Sequence, residues 1–402
     1  MKGKKRHAFF YKTLLPVVSF VVHRKFNYEY DKVKVNHSPY ILVSNHVTNW
    51  DPLLIGLSFK EFMYYVASDQ VLRAGLKSKL LNFMLAPIAR AKAVNEVQTV
   101  ISIMKRLRDK CNVCIFAEGV TSFNGETGGV QPSIAKLIKR SGVTLVTYRF
   151  TGSYFTFPKW ALSIRNGKMQ GRLVQIYSPE QLAAMSENEI LQAVIKDIYV
   201  NAYEEQEKNP TAYRGKKTAE YLETILHCCP ECKEFAALTS RDDRLFCKCG
   251  FHVRYTEFGY FEYPTASDKT EQPPFTTILE WSKWQKEELI RFAEKAGKFD
   301  HNVPIFTDHD QDLFLISRAS HTAKQANGAL HLYNNRISID AVSGAKFEFP
   351  LNTIVEFSGF SNNTIVFSTK DKLLYEIKSN NPINMIKYID TANYLINFDS
   401  GN

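Results

Sequence analysis

Two groupings of residues in this chain have the types and spacing to do chemistry. The first is His46 and Asp51, separated by four residues in the run Ser44-Asn45-His46-Val47-Thr48-Asn49-Trp50-Asp51. Histidine is the side chain whose ordinary pKa lies nearest neutrality, so it can take a proton from an attacking hydroxyl and then release it. A carboxylate beside it fixes the imidazole tautomer and stabilises the cation that forms. On a continuous helix, five steps of about 100° would place the two on different faces, so they meet only if the chain turns at Thr48 and Asn49. Asp51 also has a plainer reading. Ahead of Pro52 and the apolar Leu53-Leu54-Ile55, it suits a helix N-cap with proline in the first turn. One carboxylate has oxygens enough for both roles.

About seventy residues further on, the strand-like Val113-Cys114-Ile115-Phe116 runs into Ala117-Glu118-Gly119. A glycine-containing loop after a strand lets backbone approach a phosphate closely, though it also serves as an ordinary turn. The second grouping is Cys229-Pro230-Glu231-Cys232 with Cys247-Lys248-Cys249-Gly250. Four thiolates can close a tetrahedral zinc site, structural because no coordination position stays open. The second knuckle has one intervening residue where zinc ribbons usually have two, so Cys228, His227 or His252 could stand in for a ligand. Cys111 and Cys114 share the two-residue spacing but open a strand, which reads as buried core thiols.

The pair of motifs, His46–Asp51 followed by Phe116-Ala117-Glu118-Gly119, resembles the His-x4-Asp and Phe-Pro-Glu-Gly motifs of the glycerolipid acyltransferases, the family that includes lysophosphatidic acid acyltransferase. The resemblance spans roughly residues 35 to 180. It implies that His46 is the general base, Asp51 its orienting partner, and the substrate hydroxyl itself the nucleophile. It further implies that Glu118, Gly119 and Arg90, the last in Pro87-Ile88-Ala89-Arg90, hold a phosphate-bearing acceptor. The co-substrates implied are acyl-CoA or acyl carrier protein as donor and a lysophospholipid, lysophosphatidic acid first, as acceptor. One departure matters. The family's Phe-Pro-Glu-Gly-Thr-Arg-Ser has become Phe116-Ala117-Glu118-Gly119-Val120-Thr121-Ser122, without the arginine whose fork suits phosphate. Lys92, Arg149, Arg165 and Lys168 are looser substitutes. A different lysophospholipid or alcohol acceptor is therefore an alternative. So is a catalytically decayed adaptor that uses its zinc ribbon and basic charge to bind membrane or nucleic acid.

The elements around these motifs suggest α/β architecture with a mostly parallel sheet flanked by helices. Strands are expected at Tyr40–Ser44, Phe62–Ala67, Val113–Ala117, Val143–Phe150 and Gly171–Tyr177. Between them, Asn95 to Lys110 has apolar residues at Val97, Val100, Ile101, Met104 and Leu107, with Asn95 as cap. Pro132 to Arg140 forms a helix ended by Gly142. The expected organisation is a basic amphipathic helix at 1–30, the acyltransferase domain at 31–220, a zinc ribbon at 225–263, a linker and helix at 264–300, and a β-rich domain at 301–402. That last domain, with a final helix opened by Asn381-Pro382, is expected to be pleckstrin-homology-like.

With 402 residues, 45% hydrophobic, the chain has a sizeable core available. A net charge of +10 points to an anionic partner. Four of the first seven residues are basic, Arg24 and Lys25 close the apolar stretch from Ala8 to Val22, and Pro16 interrupts it. That stretch is shorter than the roughly 20 apolar residues that span a bilayer, so it is expected to lie in the interface, on anionic lipid. Free thiolates as metal ligands favour a reducing compartment. The expected location is thus peripheral membrane, on the cytosolic face, with no nucleic acid as partner. No P-loop or dinucleotide glycine pattern is present. Ser133-Ile134-Ala135-Lys136 is a helix start, and Asp308, Asp310 and Asp312 lack the glycine of a calcium loop.

Overall fold

The computed structural model describes residues 2–68, 72, 75–90, 96–119, 121–264, 272–296, 300–316, 322–360, 363–381 and 383–399. Two compact units divide the chain: Met1–Lys159 with Ser163–Gly215, and Trp160–Leu162 with Lys216–Asn402.

The first unit runs α1 (Lys2–Lys25), β1 (Asn27–Tyr30), β2 (Tyr40–Ser44), α2 (Asp51–Phe59), β3 (Met63–Ser68), α3 (Gly75–Met84), β4 (Ile88–Arg90), α4 (Glu96–Arg108), β5 (Asn112–Phe116), α5 (Ser133–Ser141), β6 (Thr144–Thr151), α6 (Ser153–Thr156), β7 (Lys168–Tyr177), α7 (Pro179–Ala184), α8 (Glu187–Ile198) and α9 (Ala202–Lys208). Its sheet has the order β1-β7-β6-β2-β5-β3-β4, and every neighbouring pair is parallel except β6–β7. The expected mostly parallel α/β sheet is what the chain forms. β1 and β4, too short to carry a pattern, are additions to the strands read from sequence.

Strand alternation builds the two cores. In β2, Ile41 and Val43 join Val113, Ile115 and Leu145 on one face. Tyr40 and Leu42 join Cys114, Phe116, Val146 and Tyr148 on the other. Side chains two apart share a face, so a sheet covered by helices on both sides needs apolar residues at every position of its central strands. Cys111 and Cys114 accordingly fall into opposite cores as buried thiols.

The helices follow their local signals. α5 buries Ile134, Leu137 and Ile138, and stops at Gly142 with φ 61°. Ser186 and Glu189 close a capping box on α8. α4 forms where the spacing places it, but not all of its apolar residues face the core. Its buried residues include Ile103 and Leu107, whereas Val97, Val100 and Ile101 face outward; the Asn95 expected to cap it lies outside the described residues. Among the described residues no helix is long and apolar enough to cross a membrane.

The second unit holds two antiparallel sheets. The smaller has the order β11-β10-β9-β8, from β8 (Leu238–Arg241), β9 (Arg244–Cys247), β10 (His252–Tyr255) and β11 (Phe261–Glu262). After it comes α10 (Ile278–Ala296), where Thr277 Oγ1 accepts Glu280 N–H at 3.0 Å. The larger sheet comprises β12 (Phe306–Ile316), β13 (Thr322–Leu332), β14 (Arg336–Ala341), β15 (Lys346–Pro350), β16 (Ile354–Phe360), β17 (Thr364–Thr369) and β18 (Leu374–Ser379), followed by α11 (Met385–Asp399). Its order, β15-β14-β13-β12-β18-β17-β16, is a four-strand and a three-strand meander joined through β12 and β18. With one C-terminal helix on the sheet, this is the arrangement the pleckstrin-homology-like expectation describes. Met385, Tyr388, Ala392 and Leu395 of α11 enter the core of this sheet, at the 3–4 residue spacing of one helix face. The opening of α11 needs correction. It begins at Met385, where Asn384 Oδ1 accepts Lys387 N–H at 3.0 Å; Pro382 lies outside the described residues.

Candidate active site and metal centre

β2 and β5 are parallel neighbours in register, Ser44 beside Phe116. The residues just past their C-terminal ends, 45–51 and 117–119, therefore emerge side by side at the edge where parallel sheets bind ligands. Sheet topology thus joins two motifs that sequence separates.

The turn between His46 and Asp51 is made by Asp51 itself. Its Oδ2 accepts Val47 N–H at 2.7 Å and Thr48 N–H at 3.0 Å, and Oδ1 accepts the Thr48 hydroxyl at 2.6 Å. The same Oδ2 lies 2.8 Å from His46 Nδ1. Asp51 is fully buried, while the His46 side chain is 19% exposed. The helix-capping expectation does not hold. Trp50 is the N-cap of α2, without a side-chain cap, and the Asp51 carboxylate turns back to the preceding loop. With Nδ1 bound to the carboxylate, Nε2 is the imidazole nitrogen left for chemistry.

The second motif clasps the first. Glu118 Oε1 accepts His46 N–H at 2.6 Å and Oε2 accepts Gly128 N–H at 2.6 Å. Ser122 N–H donates to the His46 carbonyl at 3.1 Å, and the Phe116 ring stacks on the imidazole at 4.3 Å. Glu118 therefore does not present its carboxylate to an acceptor. Both oxygens serve backbone amides, and the residue is 7% exposed. Burial pushes its pKa up to about 7 against the opposing pull of those two amides, with the Asp51 charge adding to the rise.

Arg90 and Gly119 do come together. Gly119 has φ +72°, and a Cβ there would collide with the Arg90 guanidinium. β4 ends at Arg90 and β5 leads to Gly119, so the two stand at and just past C-terminal strand ends of the same sheet. Among the looser cations, Lys168 pairs with Glu29 at 3.3 Å and Arg165 is buried. Lys92 and Val120 lie outside the described residues.

A small pocket opens beside His46, lined also by Asn45, Glu118, Ser122, Phe150 and Ser153. Asn45 anchors it, trading both amide groups with the backbone of Phe150 at 2.8 and 3.0 Å. Ser153 is 1% exposed, and its hydroxyl has no hydrogen-bond partner among the described residues. Sequence reasoning missed Ser153. Nothing in Gly152-Ser153-Tyr154 distinguishes it from a loop serine.

In the second unit, Cys229, Cys232, Cys247 and Cys249 bring their sulfurs within 4.8 Å of one another. Cys229–Cys249 and Cys232–Cys247 lie at 3.8 and 3.7 Å. A tetrahedron with metal–sulfur bonds of about 2.3 Å has edges of about 3.8 Å, so the four thiols fit a tetrahedral ion. The single-residue knuckle is accommodated without a substitute ligand. His227 is instead buried against Phe235 with its pKa lowered to about 3 by burial. Trp281 of α10 donates its indole N–H to the Cys228 carbonyl at 2.9 Å, fixing the first knuckle to that helix.

Residues 25–151 match the family model described as Acyltransferase. The match covers about a third of the chain and contains His46, Asp51, Arg90, Glu118 and Gly119, so the first unit carries an acyltransferase domain. The crystal structure of the 1-acyl-sn-glycerophosphate (LPA) acyltransferase PlsC from Thermotoga maritima is similar over 51% of this chain and 79% of its own, at 19% identity and a TM-score of 0.40. The C-terminal domain of an unknown protein from Leishmania infantum is similar over 23% of this chain and 84% of its own, at 11% identity and a TM-score of 0.18. No curated protein matches the chain.

Proposed function

We propose that the first unit moves a fatty acyl group from acyl-CoA or acyl carrier protein to the hydroxyl of a lysophospholipid, lysophosphatidic acid being the first candidate and phosphatidic acid the product. The observation that carries this reading is the buried Asp51 carboxylate on His46 Nδ1, at the C-terminal edge of the sheet. His46 Nε2 takes the acceptor's hydroxyl proton as that oxygen attacks the thioester carbonyl. The C–S bond then breaks, and the imidazolium returns the proton to the departing thiolate. Asp51 stabilises the imidazolium in between. Arg90, beside the Gly119 backbone, supplies the cation for the acceptor's phosphate in place of the missing motif arginine. Glu118, Phe116 and Ser122 act through His46 by holding its backbone and ring. Ser153 offers its buried hydroxyl to whatever substrate group enters the pocket.

In the second unit the four cysteines hold zinc as a structural ion, each thiolate a ligand. Acyl transfer by the purified protein, across both donors and a panel of lyso-acceptors, tests the enzymatic reading. Turnover with lysophosphatidic acid that His46→Ala abolishes supports it; turnover unchanged by His46→Ala overturns it.

A further inference from the structure

Three residues, Trp160–Leu162, belong to the second unit although the chain on either side of them, Lys159 and Ser163, belongs to the first. The excursion is a closed loop. Arg165 N–H donates to the Thr156 carbonyl at 2.8 Å, so residues 157–164 leave and return at one point. Trp160 is its anchor at 1% exposed, whereas Leu162 is 56% exposed. The Trp160 ring meets Tyr255 edge-on, with centroids 5.6 Å apart at 78°, a favoured aromatic geometry. Tyr255 ends β10, which pairs with β9, and β9 ends at Cys247 of the cysteine tetrad. A file of rings continues inward, Tyr255 to Phe261 at 5.2 Å and Phe261 to Trp281 at 5.3 Å. The Trp281 indole then bonds the Cys228 carbonyl. The tip of the loop is seated in the cysteine ribbon.

The base of the same loop sits on the turn that fixes His46. Lys159 Nζ lies 3.6 Å from the centre of the Phe123 ring, and the Tyr154 hydroxyl donates to the Phe123 carbonyl at 3.3 Å. Phe123 follows Ser122, whose N–H holds the His46 carbonyl at 3.1 Å. The Ser122 hydroxyl closes the turn by donating to the Glu126 carbonyl at 2.8 Å. Tyr154 also lines the pocket beside His46, next to Ser153. One peptide bond, from Lys159 to Trp160, joins these contacts to the file of rings.

A tryptophan that only filled the core of the second unit would not need its preceding residue stacked on the turn that holds the base. We propose that Trp160 is a positioning residue for His46. Seated against Tyr255, it holds Lys159 on Phe123 and so keeps the Ser122 N–H on the His46 carbonyl. The cysteine ribbon, by this route, has a task in the reaction although no residue of it touches substrate. A base displaced by a fraction of an ångström loses turnover more than binding, because the substrates are held by other groups. The effect on rate rests on the acyl-transfer reading; the hold on the turn stands on the contacts alone.

The test compares Trp160→Ala, Trp160→Phe and Lys159→Ala in the full chain, with zinc content and circular dichroism checked in each. Amide hydrogen exchange reads the turn directly. Exchange across residues 122–126 should quicken about tenfold in Trp160→Ala and return to the wild-type rate in Trp160→Phe, which keeps the edge-on ring. In Lys159→Ala it should quicken about twofold to fivefold, the worth of one cation–π contact. The kcat should fall in the same order, with KM for both substrates little changed. Unchanged exchange at 122–126 in Trp160→Ala overturns the proposal, as does quickened exchange with a wild-type kcat. Quickened exchange in a chain whose wild type shows no transfer removes the acyl-transfer reading and leaves the hold on the turn standing. If Trp160→Ala fails to fold, Lys159→Ala, at a half-buried position, decides by the same two readouts.

Discussion

Asp51 Oδ2 lies 2.8 Å from His46 Nδ1 while also accepting the Val47 and Thr48 amides. The carboxylate that orients the base is therefore the group that folds the loop presenting it. Asp51→Asn puts an NH2 among donors and removes the charge that stabilises the imidazolium. The expected loss in kcat is about 10²–10⁴-fold, with KM for the acyl donor little changed. Steady-state kinetics on protein whose circular dichroism is native decide it; an unchanged kcat would remove Asp51 from the mechanism.

Gly119 is the position where a methyl group meets Arg90 and where φ is +72°. Gly119→Ala should displace the guanidinium and strain the loop by about 1–2 kcal/mol. The acceptor KM should rise about tenfold, near the worth of one charge-assisted contact, and the donor KM should not. Arg90→Ala should show the same selectivity. Equal effects on both substrates would argue that Arg90 does not touch the acceptor.

Glu118 gives the enzyme a pH signature. Its folded pKa, pushed up to about 7 from an ordinary 4.5, means that the native state binds more protons than the unfolded chain between those values. Stability therefore falls as pH rises through that window, by about 3 kcal/mol at most. The ionised form is the better acceptor for the two amides, so activity should climb as stability declines. Thermal melts of the wild type between pH 5 and 8 should show the decline, and Glu118→Gln should flatten it. A melt that rises with pH in the wild type contradicts this account.

Ser153→Ala removes a buried hydroxyl that has no partner among the described residues, so it should leave the unfolding free energy within about 1 kcal/mol of wild type. If the hydroxyl serves substrate, kcat/KM should fall about tenfold, the cost of one hydrogen bond. Loss of stability without loss of activity would assign Ser153 to packing instead.

The cysteine tetrad should carry one zinc per chain, measured by elemental analysis of the purified protein. Cys247→Ser should lose the metal and expose Trp281, whose indole is bonded to the first knuckle. Full zinc content in that variant would exclude Cys247 as a ligand.

Much of this was legible in the chain. The strand at Tyr40–Ser44 is apolar from Tyr40 to Val43 because both faces are covered, and its sequence bounds match the structure to the residue. α5 was read from its buried stripe and from Gly142. α4 is legible as a helix, at Asn95–Lys110 in the sequence and Glu96–Arg108 in the structure, but its buried face is not, because Val97, Val100 and Ile101 repeat at helical spacing whichever way they face. β12 was missed because Asp308, Asp310 and Asp312 break its pattern. Asp308 instead pairs with buried Lys387 at 2.7 Å, a partner about eighty residues away that no local pattern announces.

For the site, sequence by itself determined the reactive types: an imidazole, a carboxylate five residues on, a glycine after a strand, and four thiols in two knuckles. These are covalent facts, and their spacing restricts what they can reach. Only the tertiary structure decided their roles. Parallel pairing of β2 with β5 set Glu118 on the His46 amide instead of on a substrate, and parallel pairing of β2 with β6 placed Ser153 in the same pocket. Whether a carboxylate serves a ligand or a backbone depends on which N–H groups burial leaves without water, and that is settled by the packing of segments far apart in the chain.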